Sequence, residues 1–139
     1  MYKVVAFFLI FIAILSCNVQ PEGNPERFKY GTFTMDPVDN YTNILIVRKD
    51  SLQIEHYTKK ISISTDSTIT EKEIQKIDTA YITWKNNFAY TLKIKNPKTE
   101  IDKDHIFVQI NKVTDSSCSF TARIGYSKYQ NKGTMYIAK

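Results

Sequence analysis

From Phe28 to Lys139, apolar and polar residues alternate with a period of two in one short segment after another, and the apolar positions are rich in Ile, Val, Tyr and Phe. Successive side chains of a strand point to opposite faces, so this alternation is the pattern of half-buried β-sheet. Branched and aromatic side chains fit that pleated surface. The pattern predicts strands near 28–34, 43–48, 52–57, 61–65, 79–84, 88–95, 105–113, 117–126 and 134–138. Polar breaks separate them at Asp36 to Asn40, Lys49-Asp50, Lys59-Lys60, Asn86-Asn87, Asn96-Pro97, Asp115-Ser116 and Asn131 to Gly133. Short consecutive strands with close turns imply an all-β antiparallel meander of eight or nine strands. Such a meander closes into a small barrel or, as the alternative, folds over as a β-sandwich.

One hairpin carries a register argument. Ala80, Ile82 and Trp84 share one face, and Phe88, Tyr90, Leu92 and Ile94 share another. A three-residue loop, Lys85-Asn86-Asn87, sets Trp84 opposite Phe88 and turns both apolar sets inward. Trp84, Ile82, Tyr90 and Leu92 are therefore the expected centre of the core. Thr70 to Ile77 competes with strand: Thr70 and Glu73 fit a helix capping box, and Ile74 with Ile77 forms an i, i+3 stripe. A helix of at most two turns, an edge strand or a mobile hairpin tip is expected there, because short helices are marginal alone. In the 117–126 segment, Cys118, Phe120, Ala122, Ile124 and Tyr126 fall on one phase and Ser117, Ser119, Thr121 and Arg123 on the other, which buries Cys118.

The N-terminus follows a different pattern. Lys3 precedes an unbroken apolar run of twelve residues, Val4 to Leu15. As a helix this spans roughly 18 Å against a hydrocarbon core of about 30 Å, too short for a permanent membrane span. It is the length of a secretory signal. The run ends in Ile14-Leu15-Ser16-Cys17, which resembles the bacterial lipobox, in which the cysteine receives a diacylglycerol and becomes the acylated N-terminus. The usual leucine three places before the cysteine is Ile14 here. The expected organisation is a leader at residues 1–16, an acylated Cys17 beginning a polar tether over 17–27 with Pro21, Gly23 and Pro25, and a single β domain over 28–139. The expected address is the cell envelope, at the outer membrane.

Composition narrows the partners. The formal charge of the 139-residue chain is +5. Its basic residues are scattered among acidic ones without a like-charged run, so the surface is not a nucleic-acid footprint. Membrane contact through Cys17 and a monomeric state are the expectations. With Cys17 acylated, Cys118 is left as a lone thiol in an oxidising compartment, and its phase makes it a packing residue rather than a nucleophile.

Candidate chemistry is sparse. No nucleophile elbow, phosphate-binding glycine loop or dinucleotide fingerprint occurs. His56 falls on the face of Leu52 and Ile54. His105 ends the run Asp102-Lys103-Asp104-His105, without a second histidine at ligand spacing. Asp36 to Asn40 is rich in oxygen but lacks the glycine and terminal glutamate of a calcium loop. No cofactor, metal site or catalytic set is expected. Gly31, Gly125 and Gly133 read as bulges, bends or turns. Tyr57, Tyr81 and Tyr136 are candidates for an exposed aromatic binding face.

Several pieces of the chain together resemble the small lipoproteins of flavobacteria and their relatives. They are the lipobox, Phe28 with Tyr30-Gly31-Thr32-Phe33, Arg48 followed by Asp50 to Glu55, Ile82 to Asn86 leading to Tyr90 and Leu92, Asn96-Pro97, and Lys132-Gly133-Thr134. Members sometimes carry the label "DNA topoisomerase IV", for which the 123 residues left after a 16-residue leader have no room. The resemblance implies an address and a β fold, and no activity. Two functional readings follow: a binding or accessory module of small lipocalin type, for an apolar ligand in a barrel or a protein or glycan partner on the tyrosines, and a small hydrolase or metal-dependent enzyme using His56 or His105.

Overall fold

The computed structural model describes residues 23–139; the leader expected at residues 1–16 and Cys17 lie outside the described residues. The chain forms a closed, eight-stranded antiparallel barrel in which each strand pairs with its sequence neighbours. The strands are β1 (Gly31–Met35), β2 (Tyr41–Lys49), β3 (Leu52–Thr65), β4 (Thr68–Asn86), β5 (Ala89–Ile94), β6 (Ile106–Val113), β7 (Ser117–Ile124) and β8 (Gln130–Ile137). Short 3-10 helices lie at Pro25–Phe28 and Ile101–Lys103. Pairing of Phe33, Thr34 and Met35 with Ile137, Tyr136 and Met135 closes the ring. Closure leaves the barrel wall no open edge.

The count is eight, the lower of the two expected, because the expected break at Lys59-Lys60 does not interrupt β3. Its ladder with β4 runs from Leu52↔Tyr81 to Thr65↔Thr68 without a gap. The same ladder takes Thr70 to Ile77 as strand, not helix, since every residue there gains a cross-strand partner that two helical turns would not supply. Pairing of β2 with β3 ends at Tyr41↔Lys59, and pairing of β4 with β5 begins at Ala80↔Ile94. Ile61–Thr65 and Thr68–Lys72 therefore pair only with each other and project past the rim as a two-stranded arm, about 17 Å long at some 3.4 Å per residue.

The β4–β5 hairpin also differs from expectation. Trp84 pairs with Tyr90, and Asn86 with Ala89 across a two-residue turn, the register shifting at Lys85. The bulge absorbs the odd residue that a two-residue turn would otherwise have turned inside out. The slip from the expected pairing is two residues, so Ile82, Tyr90 and Leu92 keep their inward phase and are buried. Trp84 is half-buried, packing on Tyr90 at 4.6 Å between ring centroids at the edge of the core.

The two ends of the barrel differ. At one end, the floor, Pro25–Phe28 forms a 3-10 turn where a tether and the start of a strand were expected. Asn24 caps it by accepting from the Glu26 N–H. The turn inserts the fully buried Phe28, stacked on Phe33 at 5.6 Å, and Arg27 donates to the Asp115 carbonyl in the β6–β7 turn at 2.6 Å. A Cβ on Gly23 would lie 2.2 Å from the Thr114 carbonyl oxygen, which pins the incoming chain to that same turn. Phe28, Phe33, Val113, Cys118 and Met135 pack the barrel at this end, all at most 1 % exposed.

Candidate functional site

Toward the other end the barrel is hollow. A cavity of about 590 Å³ is walled by apolar residues of six strands, among them Met35, Ile46, Leu92, Val108, Phe120 and Met135. It runs out to the exposed Ile101, Tyr126 and Tyr129 on the loops around the mouth. This volume is within the range of small-molecule sites. Gly133 on β8 makes room for the wall: it faces Phe120 across the ladder, and a Cβ there would come within 2.7 Å of the phenylalanine ring. Its role is close packing, not the bulge or turn expected of it.

A buried guanidinium lies between the cavity and the floor. Arg48 on β2 is only 2 % exposed. The two-residue turn Asp50-Ser51, with Asp50 at φ 56°, pairs Lys49 with Leu52 and hence Arg48 with Gln53. Paired residues share a face, so an inward Arg48 carries Gln53, and two residues on Glu55, inward with it. Arg48 Nε donates to Gln53 Oε1 at 2.8 Å, Nη1 to the Phe28 carbonyl at 2.6 Å, and Nη2 to the Tyr90 hydroxyl oxygen at 2.5 Å with Met135 Sδ at 3.6 Å. Its Cζ lies 4.6 Å from the Tyr90 ring centroid and 5.5 Å from those of Phe33 and Trp84. The charge is thus desolvated against hydrogen bonds and aromatic faces, and each of its three nitrogens donates to protein.

Gln53 passes the network on, its Nε2 donating to Glu55 Oε1 at 2.6 Å. Glu55 lines the cavity. Burial among apolar walls holds its carboxyl above the ordinary value of 4.5, with the Gln53 hydrogen bond pulling the other way. At the mouth the second charged lining residue is Asp104, in a gap kept open by Gly125, at φ 53°, whose Cβ would lie 3.0 Å from the Asp104 carboxylate. Among the described residues neither Lys nor Arg lines the cavity.

The other expected positions scatter. Tyr81 on β4 and Tyr136 on β8 stand four strands apart in the ring, on opposite walls. Tyr57 is in phase with Gln53 and Glu55, donates to Asp78 Oδ2 at 2.5 Å, and meets Tyr41 edge-on at 5.4 Å. Tyr136 donates to Asp36 at 3.1 Å. The three tyrosines are not brought into one face. His56 lies on β3 in phase with Leu52 and Ile54, on the outer wall, while His105 is exposed beside Phe107 at 6.3 Å. Asp102 accepts from the Lys98 and Thr99 N–H groups at 3.0 Å each, which holds its carboxyl below the ordinary range and organises its own loop. Among the described residues no group of three His, Cys, Asp or Glu side chains is arranged to hold a metal.

Cys118 is fully buried, as its phase predicts, and desolvation pushes its thiol up to about 11 despite the nearby Arg48 charge. The residues that sequence patterning passed over are Arg48, Gln53 and Glu55. Their signal was present in the turn, because Lys49-Asp50-Ser51-Leu52 fixes which β3 residues share a face with Arg48. No protein-family model matches the chain, and neither a curated protein nor a solved structure matches it.

Proposed function

We propose that the protein is a lipid-tethered binding module that takes an apolar ligand into the mouth of its barrel. The observation that carries this reading is the 590 Å³ cavity, closed at the floor by Phe28 and the Arg48 network and lined for most of its wall by aliphatic and aromatic side chains. Removing a ligand's apolar surface from water supplies roughly 25 cal/mol per Å². A rigid barrel loses little entropy in providing that surface. The tether rests on the lipobox at Ile14 to Cys17 and on the resemblance to small flavobacterial lipoproteins; two acyl chains hold a protein on a bilayer stably. The alternative of a hydrolase working through His56 or His105 has no observation in its favour.

Fluorescence of N-phenylnaphthylamine tests the cavity. It should rise saturably with the wild-type protein and stay flat with Ala122→Trp, which fills the hollow, while the melting curve shows the variant still folded. Absence of saturable binding by the wild type would sink the reading. For the tether, Cys17→Ala should leave the membrane fraction or remain unprocessed, and unchanged partition and size would dismiss it.

A further inference from the structure

Resting on that reading, we infer that the cavity selects amphiphiles carrying a protonated amine, with Glu55 as the partner of the amine and the apolar body packed along the β5–β7 wall. Three observations meet here. The chain as a whole is basic, at +5, yet among the described residues the only charged side chains lining the cavity are the carboxylates of Glu55 and Asp104. A pocket that received fatty acids would offer a cation, and Arg48, the one buried cation among the described residues, is already bonded to protein. Arg48 directs Nε, Nη1 and Nη2 at Gln53, Phe28, Tyr90 and Met135, so no fork faces the hollow for a carboxylate to grip.

Glu55, by contrast, has acceptor capacity to spare. Oε1 receives the Gln53 amide at 2.6 Å, and among the described residues no protein donor is bonded to Oε2. No buried side-chain oxygen there is left without a partner, so Oε2 is not sealed off, and the cavity is the space that Glu55 lines. A carboxylate desolvated by apolar walls gains most from a cation delivered to it, and an entering anion would meet like charge with little water to screen it. The tyrosines at the mouth, Tyr126 and Tyr129, add aromatic faces along the cation's route.

Three ligands sharing one chain test this against the neutral fluorophore: decylamine, decanol and decanoate, competed at neutral pH with the wild-type protein, Glu55→Gln and Asp104→Asn, each checked for folding by its melting curve. Decylamine should displace the fluorophore at a concentration about tenfold or more below decanol, as for a buried charge pair, with decanoate weakest. Glu55→Gln should bring amine and alcohol within about twofold of each other, while Asp104→Asn keeps most of the preference. Decanoate binding as well as decylamine, or an amine preference that survives Glu55→Gln, would overturn the inference and leave the cavity reading standing. Failure of the fluorophore itself to bind would instead remove the cavity reading on which it rests.

Discussion

At the scale of the residue, Arg48 decides the chemistry of the interior. Its guanidinium satisfies the Gln53 amide oxygen, the Phe28 carbonyl and the Tyr90 hydroxyl at once, so its removal strands three polar groups as well as opening a void. Arg48→Ala should cost about 3–5 kcal/mol in chemical denaturation, and Arg48→Met, which fills the volume but leaves the acceptors without donors, about 1–3 kcal/mol. A methionine variant as stable as the parent would show that the network contributes no stability. Glu55 gives a pH signature. Its folded pKa is raised, so the folded state holds the proton more tightly than the unfolded chain; the resulting stability is complete below 4.5 and is lost as pH rises through the folded value. Glu55→Gln should therefore match the wild type in acid and melt progressively higher than it toward neutral pH. A constant gap across that window would contradict the raised pKa. Neither residue stood out in the sequence, because Arg and Glu in an alternating strand read as solvent-facing; the turn fixes that Arg48 and Gln53 share a face, and the closed ring makes that face the inner one.

At the scale of the element, phase was legible wherever one face of a strand is plainly apolar. β7 alternates cleanly, and Cys118, Phe120, Ala122 and Ile124 point inward as their spacing implies. A thiol label should accordingly react slowly with the native protein and rapidly after denaturation, since burial holds the Cys118 thiol near 11; fast native labelling would place β7 one residue out of register. β3 misleads by the same rule. Leu52 and Ile54 look like its core face, yet pairing with β2 sends Gln53 and Glu55 inside. The two-residue turn at Asp50-Ser51 outranks local hydrophobicity there, because it sets the face of every residue after it. Thr70 to Ile77 was ambiguous for a related reason: its cross-strand partners, Thr58 back to Ile63 among them, are invisible to local patterning. The arm itself adds nothing to the cavity lining. Replacing Ile61–Lys72 by Asn-Gly, which joins the paired Lys60 and Glu73 by a tight turn, should shift the melting midpoint by no more than about 2 °C and leave fluorophore binding intact. A large loss of either would make the arm part of the folded barrel.

At the scale of the whole molecule, the seal at the floor gives the barrel a direction. The chain enters beside the β6–β7 turn, where Gly23 lies against Thr114 and Arg27 reaches the Asp115 carbonyl, whereas the mouth lies among the loops carrying Ile101, Tyr126 and Tyr129. From Cys17 to Gly23 a fully extended chain reaches at most about 21 Å. With the anchor proposed at Cys17, fluorophores attached to Asp115→Cys and Tyr129→Cys should be quenched unequally by nitroxide lipids, the Asp115 position more strongly; the opposite ranking would reverse the orientation. A barrel hung by its sealed end is a cup standing upright on the bilayer. On the proposed tether and binding role, its cargo would arrive and leave through the aqueous compartment or another protein's hand, and the lipid would fix where the exchange takes place without being the source of what is exchanged.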